Sequence, residues 1–176
     1  QIIVHDFGQG LISDKIIRFL QKYNSKLSVN VQTNSSNIGY NYITKYSKLN
    51  YFSIDEPEAR LALQDKVSNS KILMKKLSKK IKFKFGAITF GKKGSNIFDK
   101  KNIYFVPALT TNPVDTTGAG DAHFAISSLL TKVSKDIKLI SFVGNVAGAL
   151  KIQFIGHRKS IQKIEFFNYI KSVLNI

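Results

Sequence analysis

Cysteine is absent from this chain, which excludes disulfides and thiolate zinc sites. Histidine is scarce, and His5, His123 and His157 show no metal-ligand spacing. No apolar run approaches the length of a membrane span, and the first residues lack the basic-then-apolar layout of a signal peptide, so a cytoplasmic location without membrane attachment is expected. Acids are few: 11 Asp and Glu stand against 27 Lys and Arg, giving a formal charge of +16. No internal repeat, low-complexity tail or linker breaks the sequence.

What is present reads as one folded lobe, since 176 residues suffice for a substantial core. The chain opens on Gln1, and Ile2-Ile3-Val4 already reads as a buried strand, so a start inside a larger protein is expected. The positive charge invites a nucleic-acid partner, because basic surfaces attract phosphate backbones. The lysines are nonetheless spread along the chain. Their one local cluster, Lys75-Lys76 and Lys79-Lys80, fits a solvated helix face, and no RNA-recognition or zinc-finger signature accompanies it. Nucleic-acid binding is therefore not the expected role. The scarce acids are more informative, because five of them fall in two groups, Asp55, Glu56 and Glu58, then Asp115 and Asp121. In a basic chain such groups suit a divalent cation or a proton transfer.

Strand-like and helix-like segments alternate. Ile2 to His5, Leu27 to Val31, Tyr51 to Ile54 and Phe85 to Phe90 read as strands, with Ile97-Phe98 and Ile103 to Val106 as shorter ones. Helical patterns fall between and after them, including a short helix expected over Ile38 to Tyr46 and one opening at Glu56 with Pro57 in its first turn. This order predicts an α/β fold with a doubly wound, mostly parallel sheet and helices on both faces. Ligands in such folds bind at the C-terminal ends of the strands.

The stretch Asp115-Thr116-Thr117-Gly118-Ala119-Gly120-Asp121 is small, polar and glycine-rich, then abruptly helical. Apolar or small residues at Ala119, Ala122, Ile126, Leu129 and Val133 predict an amphipathic helix with a glycine-lined N-terminus. Unpaired N–H groups and the positive end of the helix dipole make that terminus an anion site. Asp121 in the first turn is either a dipole-favourable cap or an acceptor for the proton of an attacking hydroxyl.

These seven consecutive residues resemble the C-terminal signature of the ribokinase-like (PfkB) carbohydrate kinases. The resemblance implies that the amides of Gly118, Ala119 and Gly120 form an anion hole and that Asp121 is the catalytic base. It also implies a Rossmann-like, ribokinase-like fold whose N-terminal half and lid are missing here, so that the chain, 1–176, is the ATP-binding, catalytic lobe. Ile88-Thr89-Phe90-Gly91-Lys92-Lys93-Gly94 resembles the family's nucleotide element, with Thr89, Gly91 and Gly94 near ATP; a two-glycine hairpin turn is the alternative. Ser53-Ile54-Asp55-Glu56-Pro57-Glu58 occupies the place of the family's Asn-x-x-Glu element, with Glu58 matching and Asp55 standing where Asn is usual. That implies Asp55 and Glu58 as magnesium-side residues, while the same spacing suits a capping box. Thr116 and Asn145 fall where nucleotide contacts are common, although small residues around Asn145 equally suit helix packing.

His5-Asp6-Phe7-Gly8-Gln9-Gly10 is similar to the Asp-Tyr-Gly-Lys-Gly segment of the heptose-phosphate kinases, the ADP-heptose synthase branch, with Gln9 in place of Lys. Losing that cation weakens the case for a phosphorylated sugar. The amide-rich loop 32–37 carries donors and acceptors suited to sugar hydroxyls or simply to solvent. The resemblance thus implies ATP- and magnesium-dependent phosphotransfer to a hydroxyl of a sugar or sugar phosphate, with a homodimer conceivable for a longer protein. The rival readings are a noncatalytic nucleotide-binding module and, behind it, a basic nucleic-acid-binding domain.

Overall fold

In a computed structural model of the chain, residues 1–110, 113–156 and 158–176 are described, so His157 lies outside them. Six strands form one sheet in strictly sequential order: β1 (Ile2–Asp6), β2 (Leu27–Val31), β3 (Lys48–Asp55), β4 (Lys82–Thr89), β5 (Gly94–Phe98) and β6 (Ile103–Pro107). β1 to β4 run parallel, and β5 and β6 add an antiparallel meander. β2 is buried at every position, as a central parallel strand requires.

Alternation along the strands sends side chains to two cores. Phe52, Ile54 and Ile88 face α1 (Asp14–Gln21), α2 (Glu56–Leu63) and α3 (Ser70–Lys80), packing with Ile17, Ala59, Leu73 and Leu77. Tyr51, Phe85, Ala87 and Ile97 face the opposite way and meet Phe124, Ile137 and Ile140 of α4 (Ala119–Val133) and α5 (Ile137–Lys151). Helices therefore cover both faces. Crossovers up to β4 share one face, and the C-terminal helix pair supplies the second layer. The last helix, α6 (Lys163–Leu174), lies against α5.

The β4–β5 hairpin turns through Gly91 (φ 55°) and Gly94 (φ 116°), both in the left-handed region. A side chain at Gly94 would run into the backbone of Val106 and Pro107, so glycine there lets β6 close on the turn. Between α4 and α5 contact is equally close, with a Cβ at Gly144 falling 2.8 Å from ring atoms of His123.

Two local expectations fail. Over Ile38 to Tyr46 there are turns and only a short 3-10 segment, Ile43–Lys45. Asn37 donates to Phe7 O (2.7 Å), and Asn41 donates to Asp6 O (3.0 Å) and Gln32 O (2.9 Å), so these amides tie two loops together in place of a helical ladder. On α4 the buried face consists of His123, Phe124, Ser127, Ser128 and Thr131, whereas Leu129 and Val133 of the expected stripe are 53% and 78% exposed. Polar partners explain this inversion: Ser127 shares a hydrogen bond of 2.9 Å with the Tyr51 hydroxyl, and Asn50 donates to Thr131 at 2.8 Å.

Candidate functional site

The loop before α4 is fixed by its first acid. Asp115 accepts from Thr117 N (2.9 Å) and, through its other oxygen, from Gly156 N (2.7 Å), which binds the loop to the segment after α5. These two backbone donors hold its carboxyl down at about 2. Val114 N and Asp115 N both donate to Ile152 O, at 2.8 and 3.2 Å. Gly118 then begins α4 at φ 78°, and among the described residues no side chain caps the helix. The Ala119 amide donates to Thr116 O (3.3 Å), while a Cβ built on Gly120 meets nothing within 4 Å. An anion approaching this terminus finds donors and no steric barrier.

In front of it lies a cleft of about 560 Å³ between the β4–β5 hairpin, the end of β6 and the α4–α5 pair. It gathers Asp55, Thr89, Gly91, Gly94, Thr116, Ala119, Gly120 and Asn145 on one wall or another. Asn145 is already committed to the fold: it donates to Val106 O (3.0 Å) and Pro107 O (3.1 Å) and accepts from Ser95 Oγ (2.8 Å). At the back of the cleft His123 is 4% exposed, its Nδ1 lies 3.4 Å from Ser53 Oγ, and its Nε2 is buried without a partner among the described residues. Burial pulls this imidazole down to about 4.

A smaller hollow of about 190 Å³ shares Asp55, Thr89 and Gly120 with the cleft and adds Glu58, Asn30, Gln32 and Thr33. Asp55 and Glu58 do form a capping box on α2: Asp55 Oδ1 accepts from Glu58 N (2.7 Å), and Glu58 Oε2 accepts from Asp55 N (2.8 Å). Glu58 also accepts from Thr33 N at 2.9 Å through Oε1. Burial, then the charge of Asp55 and, more weakly, that of Asp121, push the Glu58 carboxyl up to about 7. Asp55 shifts upward too, chiefly by desolvation of its carboxyl, although the residue as a whole stays exposed.

Among the described residues no three His, Asp or Glu side chains converge as a metal cage. The donor set instead fits magnesium, a hard cation that keeps its waters and takes one or two carboxylates beside substrate phosphates. Two neighbouring carboxyls shifted upward by burial and by a nearby acid, Asp55 for Glu58 and Glu56 for Asp55, are the groups a cation would relieve.

Asp121 is the third residue of α4 and half-buried, its side chain 34% exposed. Its Oδ1 accepts a hydrogen bond from Gln32 Nε2, and His5 Nδ1 lies 3.3 Å from the same oxygen. His5, Gln32, Asp55 and Thr89 stand at or next to the C-terminal ends of four successive parallel strands, the edge where ligands of open α/β sheets bind. Sequence reading singled out Asp55 and Thr89 from this row and not His5 or Gln32 as partners of Asp121. Their position at strand ends was the available signal.

Several known proteins are similar to this chain in sequence or in fold. The chain is 27% identical over 154 residues to the bifunctional protein HldE of Campylobacter curvus, covering 86% of this chain and 32% of that protein. HldE of Helicobacter hepaticus is 28% identical over 154 residues, 86% of this chain and 31% of the relative. The chain thus spans about a third of the length of these curated relatives. Among solved structures, Arabidopsis thaliana ribokinase complexed with ribose and ATP superposes with a TM-score of 0.77 at 18% identity, over 96% of this chain and 55% of that one. A putative ribokinase II of Escherichia coli in complex with ATP and magnesium gives 0.77 at 16%, over 97% and 58%. These likenesses show a ribokinase-like α/β fold. The family description "pfkB family carbohydrate kinase" matches residues 9–164, and the chain belongs to that family.

Proposed function

We propose that this chain is the ATP-binding, catalytic lobe of a kinase that transfers the γ-phosphoryl group of ATP to a hydroxyl of a sugar or sugar phosphate. The observation that carries the reading is the uncapped, glycine-built start of α4, open to the cleft, with Asp121 in the same turn. Asp121 accepts the proton of the sugar hydroxyl as that oxygen attacks phosphorus in line. The amides of Gly118, Ala119 and Gly120 take up charge on the transferring group. Thr89, Gly91, Gly94 and Thr116 border the nucleotide, while Asn145 acts on it only through the wall it holds. Magnesium, when bound, neutralises phosphate charge, with Asp55 as a direct carboxylate and Glu58 acting through water. The likeness of residues 5–10 to the heptose-phosphate kinases favours a heptose phosphate as the acceptor, and Gln9, hydrogen-bonded to Ser36 Oγ (3.2 Å), leaves that phosphate without the lysine of the resembling segment.

No helix among the described residues is long and apolar enough to cross a membrane. Calorimetric titration of the folded chain with ATP and magnesium tests the reading. Heat of binding that disappears on chelation of magnesium is expected, with modest affinity because no lid closes over the site. A folded chain giving no heat contradicts it.

A further inference from the structure

We propose that Gln32 is a positioning residue for Asp121, fixing the carboxylate that receives the substrate proton; the inference rests on the reading of Asp121 as the base. A general base must be held to within about 0.5 Å of its working geometry, and an aspartate in a helix's first turn has two free torsions. Gln32 follows the last residue of β2, and its main chain is fixed from two directions. Its N donates to Asp6 O at the end of β1 (2.9 Å), and its O accepts from Asn41 Nδ2 (2.9 Å) and Asn37 Nδ2 (3.3 Å). The next residue, Thr33, donates its N to Glu58 at the start of α2 (2.9 Å). Three neighbouring segments thereby place one side chain. Its amide reaches across 89 residues of sequence to donate to Asp121 Oδ1.

His5 approaches that same oxygen to 3.3 Å while its ring meets Phe124 edge-on at 4.9 Å between centroids, so the imidazole is itself held in place. Titratable side chains thus face Asp121 from two further elements, His5 from β1 and Glu58 from α2. Gln32 carries no charge and acts through its N–H. A donor to a carboxylate favours the ionised form, so Gln32 keeps the base both oriented and ready to accept a proton. The amide-rich loop 32–37 acquires a purpose in this view. Its asparagines hold the backbone of Gln32 and of Phe7, and the glutamine at its head touches the reacting group.

The test compares Gln32→Met, which keeps length and removes the donor, with Gln32→Lys, which keeps a donor. In the chain itself, carbon-detected NMR follows the titration of the Asp121 carboxyl, identified by its loss in Asp121→Asn. Gln32→Met should move the midpoint up by about one pH unit, the scale of one hydrogen bond to a charged group, and Gln32→Lys should move it to the wild-type value or below. In the longer protein that contains this lobe, assayed with whichever of a panel of hexoses, heptoses and their phosphates turns over fastest, Gln32→Met should lower kcat by about tenfold to a hundredfold and leave KM for ATP unchanged. Gln32→Lys should recover most of that loss. Met and Lys variants that are equally impaired, or a midpoint that does not move, overturn the inference. Should Gln32→Met fail to fold, Gln32→Leu supplies the same pair of readouts, and an unmoved midpoint there is equally contrary. Full activity in Asp121→Asn removes the reading of the base, whereas an inactive Asp121→Asn beside wild-type Gln32 variants removes only this inference.

Discussion

Replacing His123 with Phe should make the protein's stability less sensitive to acid, and by an amount set by the fold. His123 lies between α4 and α5 with a Nε2 that finds no partner among the described residues, and burial brings its imidazole from 6.5 down to about 4. The unfolded chain takes up a proton on this residue below the ordinary value, whereas the folded chain refuses it until about 4. Stability from this group is therefore complete above 6.5 and is lost as pH falls toward 4. From the two midpoints the loss between about pH 7.5 and pH 4.5 is roughly 2 to 3 kcal/mol. Glu58, raised to about 7, pulls the other way, contributing stability that declines as pH rises from the ordinary glutamate range through 7. Urea melts of wild type and His123→Phe at matched pH cancel that opposing slope. The difference in unfolding free energy should shift toward the variant by about 2 to 3 kcal/mol over this interval. Parallel stability curves for the two proteins refute the assignment of a neutral, buried imidazole.

Three other outcomes follow from the same contacts. Gly120→Ala should raise the melting temperature slightly, because alanine gains about 0.5 to 1 kcal/mol over glycine in a helix, and yet weaken ATP binding, because the new methyl enters the space in front of the amides. Gly144→Ala should destabilise by about 1 to 3 kcal/mol, since its Cβ would fall 2.8 Å from the His123 ring, and His123→Ala should relieve most of that in chemical denaturation. The 176-residue chain alone should phosphorylate no sugar at a useful rate in a coupled ADP assay, because Asp121 has no oriented acceptor and water reaches the site.

Much of this architecture is legible in the residues, and the failures have physical causes. Short β-branched and aromatic runs mark all four parallel strands, and Asp55 followed by Glu58 marks the capping box at the start of α2. The glycine signature lands at the N-terminus of α4 because only that sequence both turns left-handed at Gly118 and leaves Gly120 bare. The buried face of α4 does not follow its apolar pattern because its burial depends on hydrogen-bonded partners from distant strands. Ser127 and Thr131 are inside only because Tyr51 and Asn50 meet them. Loop 38–46 shows the same limit: Asn41 has its acceptors at Asp6 and Gln32, and Asn37 just before the loop has one at Phe7, contacts that no local pattern encodes. Gln32 and Asp121 are likewise joined only by the fold.

The most direct test of the central claim is Asp121→Asn in the longer protein that contains this lobe, with turnover and nucleotide affinity measured on the same preparation. Asparagine preserves the shape and the start of α4 but cannot accept the hydroxyl proton, and it leaves the glycine-lined helix start unchanged for phosphate. Turnover should fall by about two to four orders of magnitude while ATP affinity barely changes. If Asp121 serves only as a first-turn acid, asparagine will do nearly as well, and a variant with near-normal turnover contradicts the account.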